Sequence, residues 1–316
     1  MAVKYPFYDI SYTIAYLFTW GSIVWVLNAV FVFYPFVSPA QDFPNETTTA
    51  AGVTAFVGAT IFEVGSVLLI IEAVNENRTG CFGWAMEQVF EEHGDEKTRG
   101  ARYHFKPDNK NCEHHHANKS NLVGKSNSTN TQVGSASDSP ALEAQGITKP
   151  EDKSSDRRNW VWFASWHELK THYLHELGFL ACLSQLLGAT IFWISGFTAL
   201  PGILNVLSPG LSDGIYWTPQ VVGGSGFIVS GFLFMVETQS KWYIPAPKVL
   251  GWHIGLWNLV GGLGFTLSPC FGYDTATWAQ YQAALSTFWG SWAFLIGSTI
   301  QWYESLDKHP VEVDKI

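Results

Sequence analysis

The sequence is short of charge: only 14% of its 316 residues are Asp, Glu, Lys or Arg, and Lys and Arg together number 18. None of those 18 lies within residues 36–50, 201–217 or 271–279. Cysteine is also scarce. Cys81, Cys112, Cys182 and Cys270 fall in dissimilar surroundings, so no disulfide framework is expected. A phosphate-cradling glycine loop, a dinucleotide fingerprint, a nucleophile elbow and a paired-cysteine motif are all missing. No basic stretch interleaved with aromatics is present, which excludes a nucleic-acid partner. The chain therefore reads as a non-enzyme without a cofactor. The first apolar run is long and aromatic and lacks a small-x-small cleavage pattern, so a cleaved signal peptide is not expected.

What the chain has instead is apolar and aromatic surface. It carries 15 Trp, 12 Tyr, 22 Phe and 29 Gly. Mean hydropathy is only +0.06, but this averages a polar stretch, residues 77–170, with six apolar runs at 10–35, 51–75, 172–200, 218–238, 248–270 and 280–303. A membrane span needs about 20 mostly apolar residues, and each run qualifies. Many aromatics, such as Tyr5, Tyr8, Trp160, Trp217, Trp242 and Trp302, sit at run ends, as interfacial belts require. The lysine- and arginine-free loops lie outside by the positive-inside rule, which places both termini and the polar insertion in the cytoplasm. The compartment expected is the plasma membrane or a secretory-pathway membrane. Residues 106–158 are rich in Asn, Ser, Lys and Gly, and disorder is expected there. The partners expected are the lipid bilayer and a cytoplasmic protein engaged by the insertion. Asn45, in Asn45-Glu46-Thr47, is an outside glycosylation sequon, and Cys81 is a palmitoylation candidate whose ordinary reading is a free thiol.

The chain repeats internally. Gly58 to Glu72, Gly223 to Glu237 and Gly290 to Glu304 each run from a small residue to a carboxylate fourteen positions later, with Phe62, Phe227 and Phe294 at the fifth place. A small pair follows: Gly65-Ser66, Ser230-Gly231 and Gly297-Ser298. At 100° per residue these offsets form one helical stripe, and we expect Gly58, Phe62, Gly65, Gly223, Phe227, Gly231, Gly290, Phe294 and Gly297 to be a helix-packing surface. Pro35, Pro201 and Pro269 each close the preceding run, with Phe31, Phe197 and Phe265 four residues earlier. The expected fold is an all-α bundle of six transmembrane helices, made of three parallel helical hairpins. Its units are 1–76, 160–240 and 241–316, interrupted by a largely disordered cytoplasmic insertion at 77–159.

Glu63 lies nine residues before Glu72, about 13 Å along a helix, where a carboxylate is costly unless protonated or paired. Asn28 and Asn258 lie at similar depth, and the three form the candidate intramembrane polar site. Glu72, Glu237 and Glu304 are repeated boundary acids at helix ends, where the helix dipole disfavours them. A basic or N–H partner at the start of a neighbouring helix would resolve this; the plainer reading is a solvated acid. His167, His172 and His175 lie close to Glu168 and Glu176, and Glu168, His172, His175 and Glu176 would fall on one face if the segment is helical, a set that could ligate a metal. The spacing is not that of a zinc protease, and further histidine boxes are missing. No metal is assigned.

The segment Trp292-Ala293-Phe294-Leu295-Ile296-Gly297-Ser298 resembles the YrhK-like two-helix membrane domain, and the layout of the whole chain is similar to that of uncharacterised fungal multi-pass membrane proteins. The resemblance implies two-helix membrane units and no particular activity. The expected function is a membrane scaffold, sensor or accessory protein. The alternatives are a small-solute or ion transporter, proton-linked or not, using Glu63, and, less favoured, a membrane metalloenzyme.

Overall fold

The structure is a computed structural model, and it describes residues 7–41, 45–75, 82, 103–107, 160–306 and 311–315. Six long helices dominate: α1 (Ile10–Val37), α2 (Ala51–Asn75), α3 (Leu177–Thr198), α4 (Thr218–Glu237), α5 (Leu250–Gly272) and α6 (Thr277–Ser305). Five of them, α1 to α5, are long and apolar enough to cross a membrane, which marks the chain as an integral membrane protein. The sixth, 29 residues long, is about 43 Å from end to end at 1.5 Å per residue. Short π-helical turns, Glu46–Ala50 and Asp213–Trp217, lead into α2 and α4. Among the described residues the one non-helical ladder pairs Tyr103–Pro107 antiparallel with Val311–Lys315. The insertion expected to be disordered lies almost entirely outside the described residues.

Each long helix packs on its neighbours in sequence, and α6 returns to α1, closing a ring. In lipid, apolar surface does not drive helices together, so close packing has to. Glycine supplies it. A Cβ on Gly188 would lie 2.8 Å from the Gly223 carbonyl, and one on Gly226 would lie 2.7 Å from the Gly188 Cα, so α3 and α4 touch backbone to backbone. The α4–α5 seam works the same way. A Cβ on Gly255 would lie 2.4 Å from the Met235 nitrogen, and one on Gly262 would lie 2.8 Å from the Ile228 nitrogen.

Two sequence expectations change here. Gly231 does not belong to the stripe of Gly223 and Phe227; a Cβ there would lie 2.4 Å from the Leu259 nitrogen, so it faces α5. Its neighbour Ser230 holds the place that Gly65 and Gly297 hold elsewhere. Pro35 and Pro269 lie inside α1 and α5 rather than closing them. Each sits within a turn of its helix end, where the loss of one backbone hydrogen bond is tolerated. Only Pro201 lies beyond its helix.

The segment before α3 is tied to the end of α2. The Asn75 side chain donates to the Val161 carbonyl at 2.7 Å and accepts from the Val161 nitrogen at 2.9 Å. The Tyr173 hydroxyl donates to the Val74 carbonyl at 2.8 Å. A capping box of Ser165 and Glu168 starts the short helix Trp166–Thr171.

Substitution of Gly226 by Val is expected to cost about 1–3 kcal/mol through overpacking. The same change at Gly210, which has nothing within 4 Å, should stay within about 0.5 kcal/mol. Unfolding midpoints of the purified proteins in one detergent check this. Equal midpoints for the two variants would contradict the close α3–α4 contact.

Candidate functional site

Aromatic rings fill the middle of the ring of helices. Phe62, Phe227 and Phe294, one each from α2, α4 and α6, meet with centroid separations of 6.5, 5.6 and 5.9 Å. Trp25, Phe192 and Phe265, from α1, α3 and α5, meet at 5.7, 4.9 and 5.6 Å. The two triads contact each other through Phe192–Phe227 at 5.7 Å and Phe265–Phe294 at 5.2 Å. All six residues are buried. Six of these eight pairs are edge-to-face, the two between Phe192 and another Phe being tilted, and an aromatic pair contributes about 0.5–1.5 kcal/mol beyond its area.

The Trp25 triad replaces an equivalence expected from sequence. Phe265 is in the core, but Phe197 is 47% exposed on the outside of α3 and Phe31 is only partly buried. Measuring back from proline fails because Trp25 and Phe192 precede Pro35 and Pro201 by ten and nine positions, whereas Phe265 precedes Pro269 by four. The working frame is glycine. Trp25 follows Gly21, Phe192 follows Gly188 and Phe265 follows Gly261, each by four positions, and Asn28, Ser195 and Ser268 come three later. That pattern is legible in the sequence once glycine is taken as the anchor.

Beyond the Trp25 triad, toward the α1–α2 and α3–α4 loops, a cavity of about 230 Å³ opens. Trp25, Phe192 and Phe265 close its inner end. Asn28, Ser195, Ser268, Gln220, Gln280 and Thr287 stand in its wall. Among the described residues lining it there is no Asp, Glu, Lys, Arg or His. Asn28 is held there by donating to the Ala51 carbonyl at 2.6 Å and to the Thr54 hydroxyl at 3.1 Å. On the other side of the Phe62 triad a second cavity has only about 40 Å³, room for a water or two. Gln185, Asn258, Gln301, Ser298 and Glu237 are among its lining residues.

Glu63, Asn28 and Asn258 are not brought together. Asn28 lines the larger cavity and Asn258 the smaller. Glu63 is in the lining of neither; it accepts from the Thr190 hydroxyl at 2.9 Å in the α2–α3 seam. The nearby Trp193 indole donates to Thr60 at 3.0 Å in that same seam. Glu63 is off the axis because it follows Phe62, the residue that points to the axis, and one helical step turns a side chain by 100°.

Two of the boundary acids meet the start of a neighbouring helix. The Ser11 hydroxyl, in the first turn of α1, donates to Glu72. A Cβ on Gly178, in the first turn of α3, would lie 2.5 Å from Glu237 Oε1. A carboxylate at a helix N-terminus is stabilised by the dipole, which offsets its unfavourable place at the C-terminal end of its own helix. Glu304 is partly buried in the last turn of α6. Asn45 is exposed, with φ 67° ahead of the turn at Glu46–Ala50.

The histidine cluster does not form one helical face. The helix ends at Thr171, His172 has φ −128° and ψ −68°, and a 3-10 turn follows at Tyr173–His175. His172 pairs with Glu176 at 3.0 Å. Among the described residues, no group of three or more His, Cys, Asp or Glu side chains could hold a metal. Cys112 and His114-His115-His116 lie outside the described residues, as does Cys81. No protein family matches this chain, and no curated protein or solved structure does either.

Replacement of Phe294 by Ala should cost about 3–5 kcal/mol, since its ring touches Phe62, Phe227 and Phe265 and a cavity would be left at the axis. Trp292, 45% exposed on the same helix, should lose under about 1 kcal/mol on the same change. Steric-trap or denaturant unfolding in bicelles measures both.

Proposed function

We propose that this protein is a six-span membrane scaffold or sensor with a closed axis, whose polar insertion engages a cytoplasmic protein. The observation that carries the reading is the pair of stacked aromatic triads, whose six buried rings fill the axis between the two cavities. An ion or solute crossing there would be stripped of its hydrogen bonds against six rings.

The sixth span is α6. Its shortfall in hydropathy comes from polar side chains that it turns inward, including Gln301, Ser286, Ser291 and Ser298, all buried. It closes the ring between α5 and α1 and supplies Phe294 to the centre. Three hairpins in one orientation, α1–α2, α3–α4 and α5–α6, account for the matched places of Phe62, Phe227 and Phe294. They also account for the placing of Glu72 and Glu237 against the first turn of the helix before them. The ladder between Tyr103–Pro107 and Val311–Lys315 joins the insertion to the C-terminal tail, which fits both being cytoplasmic.

A transporter is the second reading. Cavities on either side of a seal are what alternating access requires. The Glu63 version of that reading is weakened by the position of Glu63 in the α2–α3 seam.

Three measurements test the proposal. Epitope tags placed in residues 36–50, 201–217 and 271–279 should all be reached from one side of the membrane; tags on opposite sides would end the three-hairpin arrangement. Proteoliposomes holding the native protein should pass ions and small neutral solutes no faster than empty liposomes, and the double change Phe227→Ala with Phe265→Ala should raise that leak at least tenfold. Fast flux through the native protein favours transport, and its loss in Glu63→Gln would restore Glu63 to the mechanism. Removal of residues 108–158 should lose a co-purifying cytoplasmic protein while the helices still reach the membrane.

A further inference from the structure

We infer that the larger cavity is a binding site for a small neutral polyhydroxylated molecule, a cyclic polyol or sugar, entering from the face that carries the lysine- and arginine-free loops. The site stands on its own lining and does not depend on whether the insertion recruits a partner or the protein transports.

Size is the first argument. A cavity of about 230 Å³ has the volume of about eight waters at roughly 30 Å³ each. That suits a single six-membered ring with its hydroxyls and is too small for a peptide or a nucleotide. Charge is the second. No Asp, Glu, Lys, Arg or His is among the described residues of the lining. The walls are helices of a membrane bundle, where an uncompensated ion is costly. A charged ligand would find no counter-ion, whereas a neutral one pays no such cost.

The third argument is the distribution of polar groups. Ligand sites combine apolar surface with a few placed hydrogen-bonding groups. Here the rings of Trp25, Phe192 and Phe265 form a floor, and carboxamides and hydroxyls stand around it. Asn28, Gln220 and Gln280 come from α1, α4 and α6, and Ser195 and Ser268 from α3 and α5. The carboxamide nitrogens of Asn28, Gln220 and Gln280 already donate to groups of the protein, which leaves their oxygens as acceptors for ligand hydroxyls, while the serine hydroxyls can donate as well as accept. The C–H face of a cyclic polyol is apolar and lies flat on an aromatic floor, while its equatorial hydroxyls point outward to the wall. Asn28 is fixed in place by its bonds to Ala51 and Thr54, so that part of the wall is set before a ligand arrives, which lowers the entropy cost of binding.

The experiment is equilibrium binding to the full chain in lipid nanodiscs, with radiolabelled myo-inositol and glucose as neutral probes and gluconate and glucosamine as charged ones. We expect saturable binding of at least one neutral probe, with both charged probes at least tenfold weaker. Gln220→Leu and Gln280→Leu should each weaken the neutral probe at least tenfold, while Gly210→Ala leaves it unchanged. Because either leucine variant could disturb packing, a second readout uses Asn205→Cys, at the exposed mouth of the cavity. Saturating neutral probe should slow maleimide labelling of that thiol at least threefold, and the charged probes should not. Charged probes binding as well as neutral ones would overturn the assignment. So would the absence of saturable binding by either neutral probe, or full retention of affinity in both leucine variants.

Discussion

An aromatic ring seated in a glycine notch is the contact on which this bundle depends. A Cβ on Gly21 would lie 2.7 Å from the ring of Phe62, and one on Gly261 would lie 2.7 Å from the ring of Phe294. The exchange runs in the other direction too. Gly58 receives the ring of Trp25, Gly65 that of Phe18 and Gly290 that of Phe265, while Gly223 lies against the Phe192 backbone and Cβ. Where lipid is the solvent, burial of apolar surface gains little, and only shape-matched contact holds helices together. A ring pressed on bare backbone offers many such contacts in one place. It also draws the helices close enough for six rings to fill the axis.

That single contact explains the polar architecture as well. Because the rings occupy the centre of the span, polar side chains facing the axis are displaced toward either end. Asn28, Ser195 and Ser268 fall on one side; Gln185, Asn258 and Gln301 fall on the other. The result is a larger and a smaller cavity on either side of the buried rings. The larger is neutral, and the smaller includes Glu237. Glu72 and Glu237 meet the first turns of α1 and α3, so their charge is kept where donors are available.

The connecting segments are fixed by fewer but stronger contacts. The Asn75 carboxamide holds both backbone groups of Val161, and Tyr173 reaches back to Val74. Trp160 and Trp162 pack on Phe82 beside this clamp. The strap between α2 and α3 is therefore part of the folded bundle where it meets the helices, although the sequence there, WVWFASWHELKT, has no regular period.

The sequence by itself determined the helices and the surface they share. Runs of apolar residues set the positions of α1 to α5 to within a few residues, because length and hydropathy are local properties. The offsets of Gly58, Phe62 and Gly65 from one another determined a packing stripe, because a helix has a fixed turn. Only the tertiary structure decided which residues in other helices that stripe would meet. Trp25 and Phe192, rather than Phe31 and Phe197, are the partners of Phe265, since the proline stands closer to the axial ring in α5 than in the other two units. Gly231 turns to α5 and Ser230 takes its place in the stripe, a choice between adjacent small residues that periodicity leaves open. Glu63, Asn28 and Asn258, expected at one depth, share neither a depth nor a site: Asn28 and Asn258 lie on opposite sides of the six rings and Glu63 lies in the α2–α3 seam, because both depth and facing depend on how each helix is shifted and rotated in the ring.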